Sequence, residues 1–431
     1  MIVLADSVRR FNIVSPYNDI ADLISDKDKH YKTNLHTHST YSDANFTMTE
    51  MIEGFYDNDF DILAFAEHGL LGKEWDKEPT IVPLFLFQNL WHGKRSHPTT
   101  AQYNNIVNGS HITPKNSRTK DRGLQCVPDA IEANMFTLVK NHVNGYFTDN
   151  ACEGIFGKEN DYEIPIRKIE KSGGISHINH PTDWLQAYKD PDCAKVPENI
   201  EFFADLLRRY KSCLGIEVLN MYDRPNRSDR ILWDELLKTL IPEGERCVWG
   251  FGNSDAHRVC EIDTAFMDFI LPEYSLENLR TAMEKGQFFA LARYAKNELG
   301  EDFAGEGLLP RVTAIEVDQD NQVIRVKGIR ATSIEWIADG EIIKSESIDD
   351  DVWTELDLRA VSDKISCYVR FQLKGAGGIL MSQPFICDDG NMSRFRKPIP
   401  EKKVLSKKEQ RKKDFYDTRL GVIIDRMIIK K

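Results

Sequence analysis

Over roughly the first 300 residues the apolar positions fall into short runs separated by amphipathic stretches. The runs at 60–68, 215–220, 247–257 and 265–271 are too short for independent helices, and they are apolar on consecutive positions, which suits strands buried on both faces. Residues 31–38 and 175–181 read as extended too, the second ended by Pro181. Between these runs the period lengthens. Thr47 with Glu50 three residues later has capping-box spacing and predicts a helix to about residue 58. Further helices are predicted at 164–171, stopped by Gly173 and Gly174, and at 198–212, 228–240 and 276–285. Strand and helix in alternation predict a parallel α/β architecture. Polar residues gathered at successive run ends predict a barrel with its chemistry at the C-terminal mouth.

Two regions break the rhythm. From about 70 to 129 the chain is rich in Asn, Thr, His, Gly and Pro around one apolar patch at 81–90. So long an aperiodic stretch is a lid or an insertion, and a surface insertion is the reading taken, with His92, His97 and His111 set aside as ligands. From about 311 the runs 312–317, 323–328, 333–337 and 367–373 alternate with period two, with Asp339-Gly340 as a turn. They predict a small antiparallel β-sandwich over 310–390. It contains no histidine. The Lys- and Arg-rich end, 393–431, carries an apolar stripe at 420–429 and reads as a partly helical tail that docks or forms a homo-oligomer.

At 431 residues the chain has room for two or three domains. Its net charge of −12 argues against a nucleic-acid duplex as a general partner. It leaves room for an anionic substrate, because bound divalent cations reverse the sign locally. No apolar run approaches a membrane span and no export leader is visible, so a cytoplasmic protein is expected without a membrane partner. The eight scattered cysteines then read as free thiols.

The candidate chemistry starts at His36-Thr37-His38. Two histidines two apart on an extended segment leave the same face and can converge on one ion, and Asp43 lies five residues beyond. Adding the polar run ends gives His36, His38, Asp43, His68, His180, Asp255 and His257 as candidate ligands. Imidazoles and carboxylates without thiolates suit zinc, manganese or iron. His177 competes with His180, and the proline after His180 favours the latter. Glu217 and Asn220, at the end of one strand, and Arg224 and Arg227, just past it, are candidates for orienting or binding substrate, the arginines through bidentate contacts to phosphate.

The order His-x-His-Ser-(x3)-Asp, a strand ending in Glu67-His68, one ending in His180-Pro181 and a late Ser254-Asp255-Ala256-His257 resembles the PHP (polymerase and histidinol phosphatase) superfamily of metal-dependent phosphoesterases over about residues 30–300. The resemblance implies a distorted (β/α)7 barrel over 1–300 followed by the β-sandwich. It also brings in Glu132 and His142, from segments resembling Pro-Gly-x-Glu and His-Val-Asn. Asp129 stands where the pattern has Gly, Glu153 is the fallback glutamate, and Glu67 replaces a more usual Asp.

The resemblance further implies a centre of three divalent ions: one on His36, His38, Glu132 and Asp255, a second on Glu132, His142 and His180, a third on Asp43, His68 and His257. Glu132, Asp255 and His257 are the catalytic positions. The implied activity is phosphoester hydrolysis of a small phosphorylated metabolite or nucleotide by a hydroxide bridging two ions. The alternatives are hydrolysis of carboxyl esters or carbamates, and a non-catalytic metal-binding module.

Overall fold

A computed structural model describes residues 9–81, 94–133, 141–149, 162–223, 226–244 and 246–400, together with 406–408, 411 and 415. The chain folds into two compact units. The first takes the described residues within 1–33, 218–252 and 263–398, and the second those within 34–217, 253–262 and 399–431. Arg224, Glu153, His92, the core of the 81–90 patch and nearly all of the tail beyond residue 400 lie outside the described residues.

In the second unit the helix Met48–Asp57 opens with the expected capping box. Thr47 Oγ1 accepts from the Glu50 amide at 3.3 Å and Glu50 returns the bond to the Thr47 amide at 2.8 Å. Its apolar face, Met51, Ile52 and Phe55, is fully buried. The strand predicted at 60–68 shrinks to Ile62–Leu63, parallel to Gln125–Cys126. A second sheet is carried by Ile131–Ala133, Val143–Tyr146, Ile175–Ile178 and the first part of Cys213–Asn220. Its first two pairings are antiparallel and the third parallel. The helices Glu163–Lys171 and Pro197–Arg209 form close to where the period placed them.

The 70–129 stretch has structure of its own, including the helix Thr100–Asn108, capped by Thr99 and ended by Gly109 at φ +82°. It is anchored by Arg118, which donates to the carbonyls of Tyr56 and Phe60 at 3.0 Å, and by Arg122 on the buried Asp61 at 2.8 Å.

In the first unit an antiparallel series runs through Asn12–Val14, Phe385–Asp388, Tyr368–Gly375, Gly378–Met381, Phe288–Ala292, Ala265–Ile270 and His30–Asn34. Ser333–Ala338 joins Tyr368–Gly375 and the hairpin strand Glu341–Ser347. Arg311–Asp318, Val323–Ile329 and Thr354–Asp357 make a separate three-stranded antiparallel sheet. The period-two reading of this region is therefore met by antiparallel strands.

The fold is mixed α/β with several sheets, and no closed barrel is present among the described residues. The reason lies in the signal: a strand buried on both faces is apolar throughout whether its neighbours run parallel or antiparallel, so the run does not report direction. The compact units also cross the boundary expected near residue 300, because Ala290, Leu291 and Ala292 pair with Met381, Leu380 and Ile379. No described helix is long and apolar enough to cross a membrane. The cysteines among the described residues are buried, all but Cys260.

Candidate metal centre

All residues of the centre lie in the second unit. The 34–38 segment is fixed by its neighbours' polar groups: the Leu35 amide donates to Asn253 Oδ1 at 2.9 Å and the His38 amide to the Ala256 carbonyl at 3.0 Å. The Ala66 amide closes the other side on the Thr37 carbonyl at 3.0 Å. With the backbone extended, His36 and His38 share one face. Glu132 sits on Ile131–Ala133 and bridges to His68. His142 precedes Val143–Tyr146, and His180 follows Ile175–Ile178. His180 and Asp255 hold left-handed backbone, φ +28° and +46°, a conformation that surrounding structure must enforce and that collects at functional sites.

Glu132 is the hub. Its Oε1 lies 2.8 Å from His142 Nδ1, 3.3 Å from His36 Nε2 and 3.5 Å from His180 Nε2. Its Oε2 lies 3.1 Å from His68 Nδ1 and 3.3 Å from His38 Nε2. Asp255 Oδ1 is 3.2 Å from both His36 Nε2 and His38 Nε2. Asp43 faces His257 Nε2 at 3.3 Å and His68 Nε2 at 3.5 Å. The structure thus gathers His36, His38, Asp43, His68, Glu132, His142, His180, Asp255 and His257.

This donor set fits divalent cations. Four triads among these residues, His36/His38/Asp255, His36/Glu132/His180, His38/Asp43/His257 and His38/His68/Glu132, each place three ligand atoms within 4.8 Å of one another. The decisive observation is what these nitrogens lack. His36 Nε2, His38 Nε2 and His68 Nδ1 are buried within 3.3 Å of a Glu132 oxygen, yet none has a hydrogen bond among the described residues. A buried polar atom left unsatisfied costs about 1–3 kcal/mol, and three at one point mark a place for a partner that is not protein.

The electrostatics agree. Burial by itself lowers the His36 imidazole, but Asp255, Glu217 and Glu132 outweigh it and hold it well above its ordinary value. His180 is pushed up to about 9 by the same contest between burial and the Glu132 and Asp255 carboxylates. Burial raises Glu132, yet His142, His68 and His36 draw it well below the carboxylate range. At His142 burial wins and lowers the imidazole, so the tendency to hold a proton lies with His36 and His180, and cations entering the cage compete with protons there.

Other predicted positions fall elsewhere. Glu217 stands behind the cage, its buried carboxylate accepting from His36 Nδ1 at 2.8 Å and from Asn253 Nδ2 at 2.9 Å. Burial raises it, but His36 and His177 bring it down to about 2. Asn220 is buried and accepts from Asn226 at 2.8 Å. Arg227 pairs with the exposed Glu301. His177 lies 3.7 Å from Glu217 and belongs to none of the ligand groups. His97 bonds the Pro98 carbonyl, and His111 faces Glu53.

Sequence reasoning missed Asn179, whose Nδ2 donates to Glu132 Oε1 at 2.7 Å and to Asn144 Oδ1 at 2.8 Å, and Asn253. The signal was present: both asparagines sit in the apolar-to-polar run ends beside the ligands.

Among solved structures, the chain is similar to a two-domain protein from Bacteroides vulgatus ATCC 8482 containing a predicted PHP-like metal-dependent phosphoesterase. The identity is 13%, the match spans 89% of this chain and 99% of that one, and the TM-score is 0.40. The chain is also similar to PsfC from Pseudomonas syringae PB-5123, with 14% identity over 57% and 84% of the two chains and a TM-score of 0.31. A third is the lesion-specific endonuclease PfuEndoQ from Pyrococcus furiosus, with 14% identity over 59% and 56% and a TM-score of 0.32. No family profile matches the chain, and no curated protein matches it.

Proposed function

We propose that the chain is a metal-dependent hydrolase of PHP type, and that its substrate is a phosphate ester of a small metabolite or nucleotide. The observation that carries this reading is the convergence of hydrogen-bond-free imidazole nitrogens on Glu132 and Asp255. His36, His38, Glu132 and Asp255 would hold one divalent ion, Glu132, His142 and His180 a second, and Asp43, His68 and His257 a third. Zinc, manganese and iron all suit such ligands. Bound cations would supply Lewis acidity to the ester oxygens and make water a competent nucleophile near neutral pH.

The protein's share is arrangement. Glu132 offers its two oxygens to different imidazoles, so one carboxylate ties both halves of the cage together. Asn179 and Glu217 hold Glu132 and His36 in place from behind. The cage is open on one side: the Asp43 and His257 side chains are 36% and 26% exposed, whereas those of His36 and His38 are fully buried. A substrate would therefore reach the centre past Asp43 and His257.

Metal analysis of the purified protein, followed by turnover assays on aryl phosphates, phosphodiesters, oligonucleotides and carboxyl esters, tests the reading. Hydrolysis of phosphate esters that stops with chelator and returns with zinc, manganese or iron is the expected result. Turnover of carboxyl esters or carbamates alone would replace phosphate by a carbonyl substrate. Bound metal with no turnover of any ester would leave a non-catalytic metal-binding module.

A further inference from the structure

Glu67 is fully buried beside the cage but belongs to none of the ligand groups. Three donors converge on its carboxylate: the Ser39 amide at 3.2 Å and the hydroxyls of Ser39 and Ser42. Ser39 Oγ also accepts from the Tyr41 amide at 3.2 Å, so its own proton is directed to Glu67. Ser42 Oγ gives its proton to Glu67 as well, and it lies 3.2 Å from His38 Nδ1. A hydroxyl has one proton and two lone pairs. With that proton committed to Glu67, Ser42 can only accept from His38, so the neutral imidazole carries its proton on Nδ1 and leaves Nε2 bare toward Glu132 and Asp255.

We propose that Glu67 and Ser42 form a hydroxyl relay that fixes the tautomer and ring orientation of His38, acting as positioning residues for the metal centre. The relay rests on the metal-centre reading for its purpose, though its hydrogen-bond logic stands without it. It gives His38 what Glu217 gives His36 by direct contact at 2.8 Å: an acceptor on the nitrogen facing away from the cage. The direct Glu67–His38 separation is 4.0 Å, beyond hydrogen-bond reach, so the serine is needed.

The variants separate direction from charge. Ser42→Ala removes the acceptor. Glu67→Ala frees the Ser42 proton to turn toward His38 and favours the wrong tautomer. Glu67→Gln keeps an oxygen where the Ser39 amide and Ser42 hydroxyl donate, so it preserves the relay without the charge.

The test is nitrogen-15 NMR of the whole chain, zinc-loaded and also metal-free at a pH where His38 is neutral, together with zinc affinity by competition. We expect wild-type His38 to be protonated on Nδ1 in both forms. We expect Ser42→Ala and Glu67→Ala to weaken zinc binding by about 10–100-fold, and Glu67→Gln to stay within about threefold. Wild-type His38 protonated on Nε2 in the metal-free form overturns the relay without recourse to any variant. So does zinc affinity in Ser42→Ala equal to wild type, or Glu67→Gln as damaged as Glu67→Ala. If wild-type protein binds no zinc, manganese or iron, the metal-centre reading fails, while the metal-free spectrum still decides the relay.

Discussion

Two buried polar clusters of this molecule are built on opposite plans. In the first unit, Arg230 is 2% exposed and its donors are all occupied. Nε and Nη2 reach Glu298 at 2.6 and 2.8 Å, both terminal nitrogens reach Asp223 at 2.8 Å, and Nη1 also meets the Val218 carbonyl at 3.1 Å. In the second unit His36, His38 and His68 are buried as well, yet the nitrogens they turn toward Glu132 stand at contact distance without hydrogen bonds. Both clusters set cationic side chains against carboxylates, and hydrogen-bond satisfaction is complete only in one. A closed network holds a fold in one arrangement. An incomplete one keeps its lone pairs for a visitor, and that difference, more than burial or charge, separates a structural cluster from a binding site.

The comparison can be broken most directly at Asp255. Asp255→Ala, or His38→Ala, should abolish metal-dependent hydrolysis, a loss of roughly 10³-fold or more in kcat/KM for several kcal/mol of lost stabilisation. Circular dichroism and the urea midpoint should stay near wild type, since neither side chain supports a closed network. An active variant, or one that unfolds, would put the cage on the structural side.

Arg230→Ala should behave in the opposite way. Stranding the buried Asp223 should cost about 3–5 kcal/mol in urea unfolding, with kcat/KM of the surviving folded fraction unchanged. A stability loss below about 1 kcal/mol would contradict the closed-network description.

Glu217→Gln sharpens the boundary between the two plans, because Glu217 is a satisfied residue serving an unsatisfied one. Zinc affinity should fall by about 10–100-fold with little change in stability, read by competition with a chromogenic chelator. Equal affinity in the variant would remove Glu217 from the support of His36.

The smallest effect concerns His30, buried against Asp268 at 2.6 Å in the first unit. Burial lowers this imidazole, but the Asp268 carboxylate outweighs it and raises the folded value above 6.5. A raised folded value means the pair's contribution is fully present below about pH 6.5 and is lost as pH climbs through the folded value. The unfolding free-energy gap between wild type and Asp268→Asn, on the order of 1 kcal/mol, should therefore be widest near about pH 6 and narrow toward alkaline pH. A gap that widens with pH would reverse the assignment.

Legibility in the sequence varies by element. The helix Met48–Asp57 forms where Thr47 and Glu50 placed its start, because a capping box is a local contract among four residues. The antiparallel β region from Arg311 was readable as well, since half-exposed strands alternate visibly. Strand direction was not, and neither was the union of Ala265–Ala292 with the C-terminal strands, because main-chain pairing leaves no mark on residue identity. The strand position of Glu217 was readable, while the His36 nitrogen in front of it was not.

By itself the sequence determined which residue types could bind metal and at which run ends they sit, since spacing, capping and apolar period are properties of neighbours along the chain. Only the tertiary structure decided which of them meet. Glu132, with ligands from residues 36 to 180 around it, His177 left aside and the Ser42–Glu67 hydroxyls turned toward His38 are outcomes of long-range packing, where distances of a few tenths of an ångström and the direction of single protons separate a ligand from its support.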